Sequence, residues 1–547
     1  MVDMRNGQRI AVVAGVCAAV VSVVGFGAYS LLGDEGSGGG AAAADGERGG
    51  DDEPAGPPTG DEVLAASGAF LDAWAAGDAV AAAELTSDPE AARAALEALA
   101  ADASLTEVAI DAGTPDGATV PFSLAATVAH EDEEPAELGW ETALSVVRDE
   151  ASGEPVIEWA PTVIHPELAE GQSLETGPIS EVPPVEALDR NGAVLSADDF
   201  PSLAPVIAEL RERYGEQAGG SAGVETRIVD AEGETVTSLL ELAEPTAGQV
   251  PTTIDPAVQR AAEDAVAERA SASVVAIQPS TGAIHAIANS PADGFDTALE
   301  GSYAPGSTFK IVTASLLLDR GLASPGAEHP CPKHFTHGGW EFQNLDEFEI
   351  EGGTFADSFA RSCNTAFISQ APELSDDELG NHAREAFGLG LDWQVGVTSM
   401  DGAVPTQSDA QMAAALIGQG GVRMNPLTMA SVSATVKNGS FLQPYLVPAD
   451  FDGRQLAQAP SPLPTAGDLR SLMSRTAANG TAAEAMAGLG GDIGGKTGSA
   501  EVDGQDKPNA WFTGYRNDLA VAAVVPDSGH GGTFAGPLVA DVLRVAP

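Results

Sequence analysis

Ser307 and Lys310 stand three residues apart, after a Pro305-Gly306 pair and before the apolar run Ile311–Leu318. Pro-Gly leading into an apolar run predicts a helix, which places both side chains on one face, one turn apart. A serine hydroxyl is a weak nucleophile until a base takes its proton. A lysine one turn away can act as that base once burial or a neighbouring charge depresses its ammonium pKa. N–H groups at the helix start would help stabilise an oxyanion at Ser307. Alone, this spacing is common among surface residues and decides nothing.

Two further pieces change that. Ser362-Cys363-Asn364 supplies S-x-N, and Lys496-Thr497-Gly498 supplies K-T-G, each pattern occurring once and in that order after S-x-x-K. The chain has five lysines (Lys310, Lys333, Lys437, Lys496 and Lys507), and two of them fall at motif positions. The combined chemistry is coherent. Ser362 can relay a proton among Lys310, Ser307 and a leaving group, while Asn364 holds a substrate amide. Lys496 and Thr497 can bind a substrate carboxylate, and Gly498 lets a strand approach closely.

This trio is the signature of penicillin-binding proteins and class A β-lactamases. Residues 252–547 resemble the transpeptidase domain of class B penicillin-binding proteins in more than the trio. Thr253-Ile254-Asp255, Tyr303-Ala304-Pro305-Gly306, Ser362 to Phe367, Lys496 to Glu501 and Trp511-Phe512 all fit. Upstream, Trp159-Ala160-Pro161, Ile164-His165-Pro166 and Leu168 resemble the end of a MecA-type NTF2-like N-terminal domain. The resemblance implies a D,D-transpeptidase that cross-links peptidoglycan stem peptides through an acyl-enzyme on Ser307 and is acylated by β-lactams. It implies Ser307, Lys310, Ser362 and Asn364 as catalytic residues and Lys496, Thr497, Gly498 and Ser499 as substrate-binding residues. Backbone N–H groups of Ser307 and Ser499 would form the oxyanion hole. Ser499 stands where the family often has threonine, which keeps the hydroxyl. No cofactor and no metal is implied. The partners are a D-Ala-D-Ala donor peptide, an amine acceptor, β-lactams as covalent inhibitors and a separate glycosyltransferase.

Two other functions use the same residues. With water as acceptor, the fold gives a D,D-carboxypeptidase or a β-lactamase. The latter needs a glutamate to activate water, and Glu378-Leu379-Gly380-Asn381 imitates that element only loosely and reads as helix surface. A non-catalytic β-lactam receptor or scaffold would need a cytoplasmic output, and nine residues precede the apolar segment Ile10–Leu32.

The elements that must position these residues follow from pattern. Ile10–Leu32 has 23 residues without a charged side chain, flanked by Arg5 and Arg9 before and Asp34 and Glu35 after. As a helix it spans about 35 Å, enough for a hydrocarbon core of roughly 30 Å. The positive-inside rule puts the short N-terminus in the cytoplasm and the rest outside. The run exceeds a signal-peptide core of roughly 7–15 residues, favouring an uncleaved anchor. The expectation is a cell-membrane protein, single-pass, with its catalytic region extracytoplasmic. Residues 33–60, rich in Gly, Ala, Pro, Asp and Glu, read as a flexible linker.

Residues 61–173 begin with helical spacing (Val63, Phe70, Leu71, Trp74), continue with a helical stretch Asp78–Ala101 broken near Pro89, and then alternate over Thr119–Val128, Thr142–Val147 and Val156–Trp159. Trp140 and Trp159 read as core. Residues 174–251, with a turn at Asp189 to Gly192 and a helix over Pro201–Tyr214, read as a linking or pedestal module. From Thr253 the signals sharpen: Asp255 and Pro256 start a helix. Ala272–Gln278 and Ala283–Asn289 form one hairpin, Ala510–Tyr515 and Leu519–Val525 a second, and Gly536–Val545 is a final helix. The fold class is multidomain α+β, ending in an antiparallel sheet assembled from distant segments and covered by helices.

Among 547 residues, 25 Lys+Arg face 81 Asp+Glu, a net charge of −56. That excludes nucleic-acid binding and peripheral docking on anionic lipid. Against this background, Lys310 and Lys496 are expected to make a local positive pocket for an anionic substrate terminus. Cys331 and Cys363 lie in an oxidising compartment and can pair, but two thiols make no framework. Cys331, His329, His334 and His337, flanked by Pro and Gly, read as a loop and not as a zinc site.

Overall fold

The computed structural model describes residues 56–131, 133–179, 182–459 and 462–546. The segment Ile10–Leu32 lies outside them, and no helix of the described residues is long and apolar enough to cross a membrane.

Helices Gly60–Ala75, Ala79–Ala83 and Pro89–Asp102 cover a four-stranded antiparallel sheet, β1 (Leu105–Ala112), β2 (Thr119–Val128), β3 (Ala136–Arg148) and β4 (Pro155–Ile157), in the order β1-β2-β3-β4. The expected break at Pro89 separates two helices because Asp88 caps the second and Pro89 occupies its first position. Burial alternates along β2, so its inward residues Phe122 and Leu124 meet Phe70, Trp74, Leu96 and Leu99. Trp140 is core, donating its indole N–H to the Ile164 carbonyl at 2.7 Å, whereas Trp159 is partly buried at the margin of that core. Strand β1 escapes the pattern reading because no residue in it is fully buried and its register slips between Thr106 and Ala109.

The stretch after Ser173 feeds two cores. β5 (Ser173–Pro178), β7 (Val224–Val229) and β8 (Thr235–Ala243) make one antiparallel sheet, and Leu174 and Ile228 join the N-terminal core. β6 (Glu186–Leu188) and β9 (Gln249–Pro251) pair in parallel, and Ala187 and Val250 join the C-terminal core. So do Leu203, Val206, Ile207, Leu210 and Tyr214, from a 3-10 turn (Pro201–Leu203) and the helix Ala204–Tyr214. Among the described residues, those of 174–251 therefore pack into the two neighbouring cores.

The C-terminal sheet is antiparallel and five-stranded: β10 (Ala272–Ile277), β11 (Ile284–Ser290), β14 (Ile493–Ala500), β15 (Asn509–Arg516) and β16 (Leu519–Val525), in the order β11-β10-β16-β15-β14. Every residue of β10 and β16 is buried, which is why neither shows alternation. Helices Pro256–Ala267 and Gly536–Arg544 cover one face through Val258, Val266, Leu538 and Val542. Helices Lys310–Asp319 and Pro426–Asn438 belong to the core on the other, with Val275, Trp511 and Tyr515. Asp255 caps the first helix as expected, accepting from the N–H groups of Ala257 and Val258 at 3.0 and 3.3 Å.

The segment read as a loop around His334 is instead a two-stranded hairpin, β12 (His334–His337) and β13 (Trp340–Gln343). Gly338 and Gly339, at φ +57° and +82°, supply the paired left-handed residues that a two-residue hairpin turn requires.

Candidate active site

Ser307 lies in a 3-10 turn, Gly306–Phe309, which runs directly into the helix Lys310–Asp319. The turn is pinned from both sides. Gly306 (φ +53°) donates its N–H to the Gly418 carbonyl at 3.0 Å, and a Cβ there would sit 2.5 Å from the Ser499 carbonyl. Only glycine fits that approach. On the other side, a Cβ on Gly498 would lie 2.8 Å from the Pro305 carbonyl. The glycine of K-T-G thus lets β14 lie against the turn that carries Ser307.

Lys310 is fully buried. Its Nζ donates to the Ser362 carbonyl at 2.8 Å and to Asn364 Oδ1 at 2.7 Å, and stands 3.5 Å from Ser362 Oγ. Burial and the neighbouring Lys496 charge hold its pKa well below the ordinary lysine value, against a smaller upward pull from Glu501. A neutral amine can make both donor bonds and keep its lone pair, as a general base requires. Lys496, also fully buried, donates to Ser362 Oγ and to the Thr497 carbonyl, each at 2.9 Å, and burial lowers its pKa to about 7. The Ser362 hydroxyl thus lies between the two lysines. Burial disfavours the charged form of both lysines, in Lys310 together with the neighbouring Lys496 charge.

The S-x-N loop reaches this position by constraints that pattern reading missed. Ser362, between helices Phe355–Ala360 and Thr365–Ile368, has φ +58°. A residue other than glycine there costs about 1–3 kcal/mol and persists where the surroundings enforce it. Cys363 is bonded to Cys331. Asn344, buried, accepts from the N–H groups of Asn364 and Thr365 at 2.7 and 3.1 Å and donates to the carbonyls of Pro332 and Phe348, both at 2.8 Å. The cysteine pair was visible as an option in sequence. Asn344 belongs to no motif and gave no signal.

Thr497 Oγ1 shares a 2.6 Å hydrogen bond with Thr481 Oγ1, and Ser499 Oγ accepts from the Gly531 N–H at 3.4 Å. Ser307, Ser362, Asn364, Thr497, Gly498 and Ser499 all line one cleft of about 330 Å³. All eight residues expected from the motifs are therefore brought together, Lys310 and Lys496 as its buried floor. Cys331, bonded to Cys363, is no metal thiolate, and His329 Nε2 is hydrogen-bonded to the Ala366 carbonyl at 2.8 Å. Glu378 opens the helix Glu378–Phe387, accepts from the Ser375 N–H at 3.0 Å and pairs with Arg320, outside the cleft.

Residues 272–544 match the family model for the penicillin-binding protein transpeptidase domain, and residues 64–172 that for the NTF2-like N-terminal transpeptidase domain. A peptidoglycan D,D-transpeptidase PbpA of Mycolicibacterium smegmatis is 31% identical over 361 residues, covering 54% of this chain and 72% of that protein. The chain belongs to the penicillin-binding protein transpeptidase family. Solved structures share the fold at lower identity. A peptidoglycan synthase complex coordinating polymerization and crosslinking aligns with TM-score 0.56 at 23% identity, covering 69% of this chain and 93% of that one. Penicillin-binding protein 3 of Mycobacterium tuberculosis, complexed with ampicillin, aligns with TM-score 0.52 at 21% identity, covering 68% and 95%. This family membership agrees with the resemblance carried by the three motifs.

Proposed function

We propose that this penicillin-binding protein is a serine D,D-transpeptidase that cross-links peptidoglycan stem peptides and is acylated by β-lactams. The observation that carries the reading is Ser362 Oγ, held 2.9 Å from Lys496 Nζ and 3.5 Å from Lys310 Nζ in the cleft that Ser307 lines. Neutral Lys310 takes the Ser307 proton as Oγ attacks the carbonyl between the two terminal D-alanines. Backbone N–H groups of Ser307 and Ser499 hold the oxyanion. The carbon–nitrogen bond then breaks, and Ser362 passes the proton from Lys310 to the departing D-alanine amine. Lys496 and Thr497 bind the terminal carboxylate, and Asn364 holds the donor amide. A second peptide's amine attacks the acyl-Ser307 carbonyl and the ester carbon–oxygen bond breaks; the amine's proton passes through Lys310 to Ser307 Oγ, which leaves the cross-link formed and Ser307 free. A β-lactam enters by the same first step, but its leaving nitrogen stays tethered to the acyl group.

The apolar Ile10–Leu32 segment and its flanking charges support a single-pass anchor with this cleft outside the cytoplasm. A separate glycosyltransferase would supply the glycan strands. The domain division that fits this role is an anchor (1–32), a linker (33–60), an NTF2-like domain (61–173), a connecting region (174–251) and the transpeptidase domain (252–547).

Intact mass of the detergent-solubilised chain after penicillin exposure tests the reading. The expected result is one adduct of the penicillin's mass, absent in Ser307→Ala. No adduct on the unaltered chain would defeat it.

A further inference from the structure

Arg361 immediately precedes Ser362 and lines the same cleft, with its side chain exposed. Its guanidinium lies 4.9 Å from the centroid of the Phe348 ring, which also lines the cleft. In a chain with 81 acidic residues it has no ion pair among the described residues. The carboxylate one turn back, Asp357, is engaged elsewhere. It accepts from Thr354 N and Oγ1 at 2.9 and 2.7 Å and pairs with Arg475. Glu484, in the same cleft, lies beyond 4.0 Å. Glu501 is bonded by Gln419 at 2.7 Å. A guanidinium stacked on an aromatic ring, with no carboxylate within 4.0 Å among the described residues, is set to receive an anionic group, and carboxylate suits its planar fork.

The terminal carboxylate of a donor peptide is served by Lys496 and Thr497 on the opposite wall, so Arg361 addresses a second one. A donor reaching Ser307 must pass Asn364, three residues beyond Arg361 on the same loop. The substrate residue within reach is then the one preceding the two terminal alanines. We infer that Arg361 is a specificity-determining residue that selects donors bearing a free carboxylate on the side chain of that preceding residue. The inference rests on the transpeptidase reading and names its substrate class.

Carbenicillin and benzylpenicillin differ by one side-chain carboxylate beside the acylamide, which makes them a matched probe. Second-order acylation rates are measured on the full chain, unaltered and as Arg361→Gln and Arg361→Lys. The expected result is a fall of about tenfold in the carbenicillin-to-benzylpenicillin ratio for Arg361→Gln, with partial recovery in Arg361→Lys. The ratio of the unaltered chain should also fall at high salt, because the cleft is open to solvent. A ratio unchanged within twofold in Arg361→Gln overturns the inference, including when both rates drop together, and leaves the transpeptidase reading standing. No adduct from either penicillin on the unaltered chain overturns both.

Discussion

The two walls of the cleft are built on different principles. The K-T-G wall is a strand: β14 pairs with β15 in unbroken register from Ile493↔Arg516 to Ala500↔Asn509, so a regular backbone ladder carries Lys496, Thr497 and Ser499. The S-x-N wall is a loop between two short helices, with Ser362 at positive φ. Asn344 and the Cys331–Cys363 bond hold it from a distance in sequence. One wall is positioned by regular structure and the other by a few side chains. Single changes away from the catalytic residues should therefore loosen the S-x-N wall much more readily.

The largest expected effect removes the lysine that the S-x-N wall holds. Lys310→Met deletes the donor to Ser362 and Asn364 and the base for Ser307. Acylation by a penicillin, followed by intact mass, should slow by about 10²–10⁴-fold, the usual share of general base catalysis. A loss under tenfold would move the base elsewhere. Next comes the loop itself. Asn344→Ala strips partners from the N–H groups of Asn364 and Thr365 and from two carbonyls in a buried setting. The Pro332 carbonyl still accepts from Thr365 Oγ1. Each of the other three groups costs about 1–3 kcal/mol, so a loss of at least about 3 kcal/mol in urea unfolding is expected, with acylation slowed at least tenfold. Full activity in Asn344→Ala would remove the contrast between the walls.

Breaking the Cys331–Cys363 bond tests the same wall by a different route. The bond spans 32 residues. Loop-closure entropy for that span is worth about 3–4 kcal/mol. Cys331→Ser/Cys363→Ser should lower the urea midpoint accordingly and slow acylation several-fold, while Lys496 keeps its place on β14. Equal acylation in oxidised and doubly substituted protein would show that Asn344 alone suffices.

This contrast also marks what could be read from sequence. Strands β10, β15 and β16 and the helix capped by Asp255 follow from apolar runs and turn residues, because local pattern and burial agree there. The eight motif residues were legible because chemistry restricts residue type and spacing together. Asn344 was not, since a buried asparagine earns its role only from atoms brought near by the fold. The hairpin at His334 was hidden by Gly338-Gly339, which marks a loop and a tight turn alike. The stretch 174–251 shows a different limit: its pattern does not say that Leu174 and Leu210 pack into different cores. Periodicity reports which face of an element is apolar and not which neighbour covers it.

The smallest expected effect concerns the wall that regular structure holds. Burial takes Lys496 from the ordinary 10.5 to about 7 in the folded chain. Between those values the unfolded chain binds a proton that the folded chain has released. Stability contributed by this site therefore rises as pH increases through the window, and below about 7 both states are protonated and the full burial penalty is felt. From pH 7.0 to 8.5 the gain approaches about 2 kcal/mol at roughly 1.4 kcal/mol per unit. Urea midpoints of the unaltered chain and Lys496→Met should diverge by that amount over this range, in favour of the unaltered chain at the higher pH. The strand carries Lys496 whether or not it is charged, so β14 should stay paired throughout, and only the difference in stability should move. Parallel pH curves for the two proteins would mean that Lys496 keeps an ordinary pKa and a permanent charge, and that the K-T-G wall, like Arg361, presents a fixed cation to the substrate.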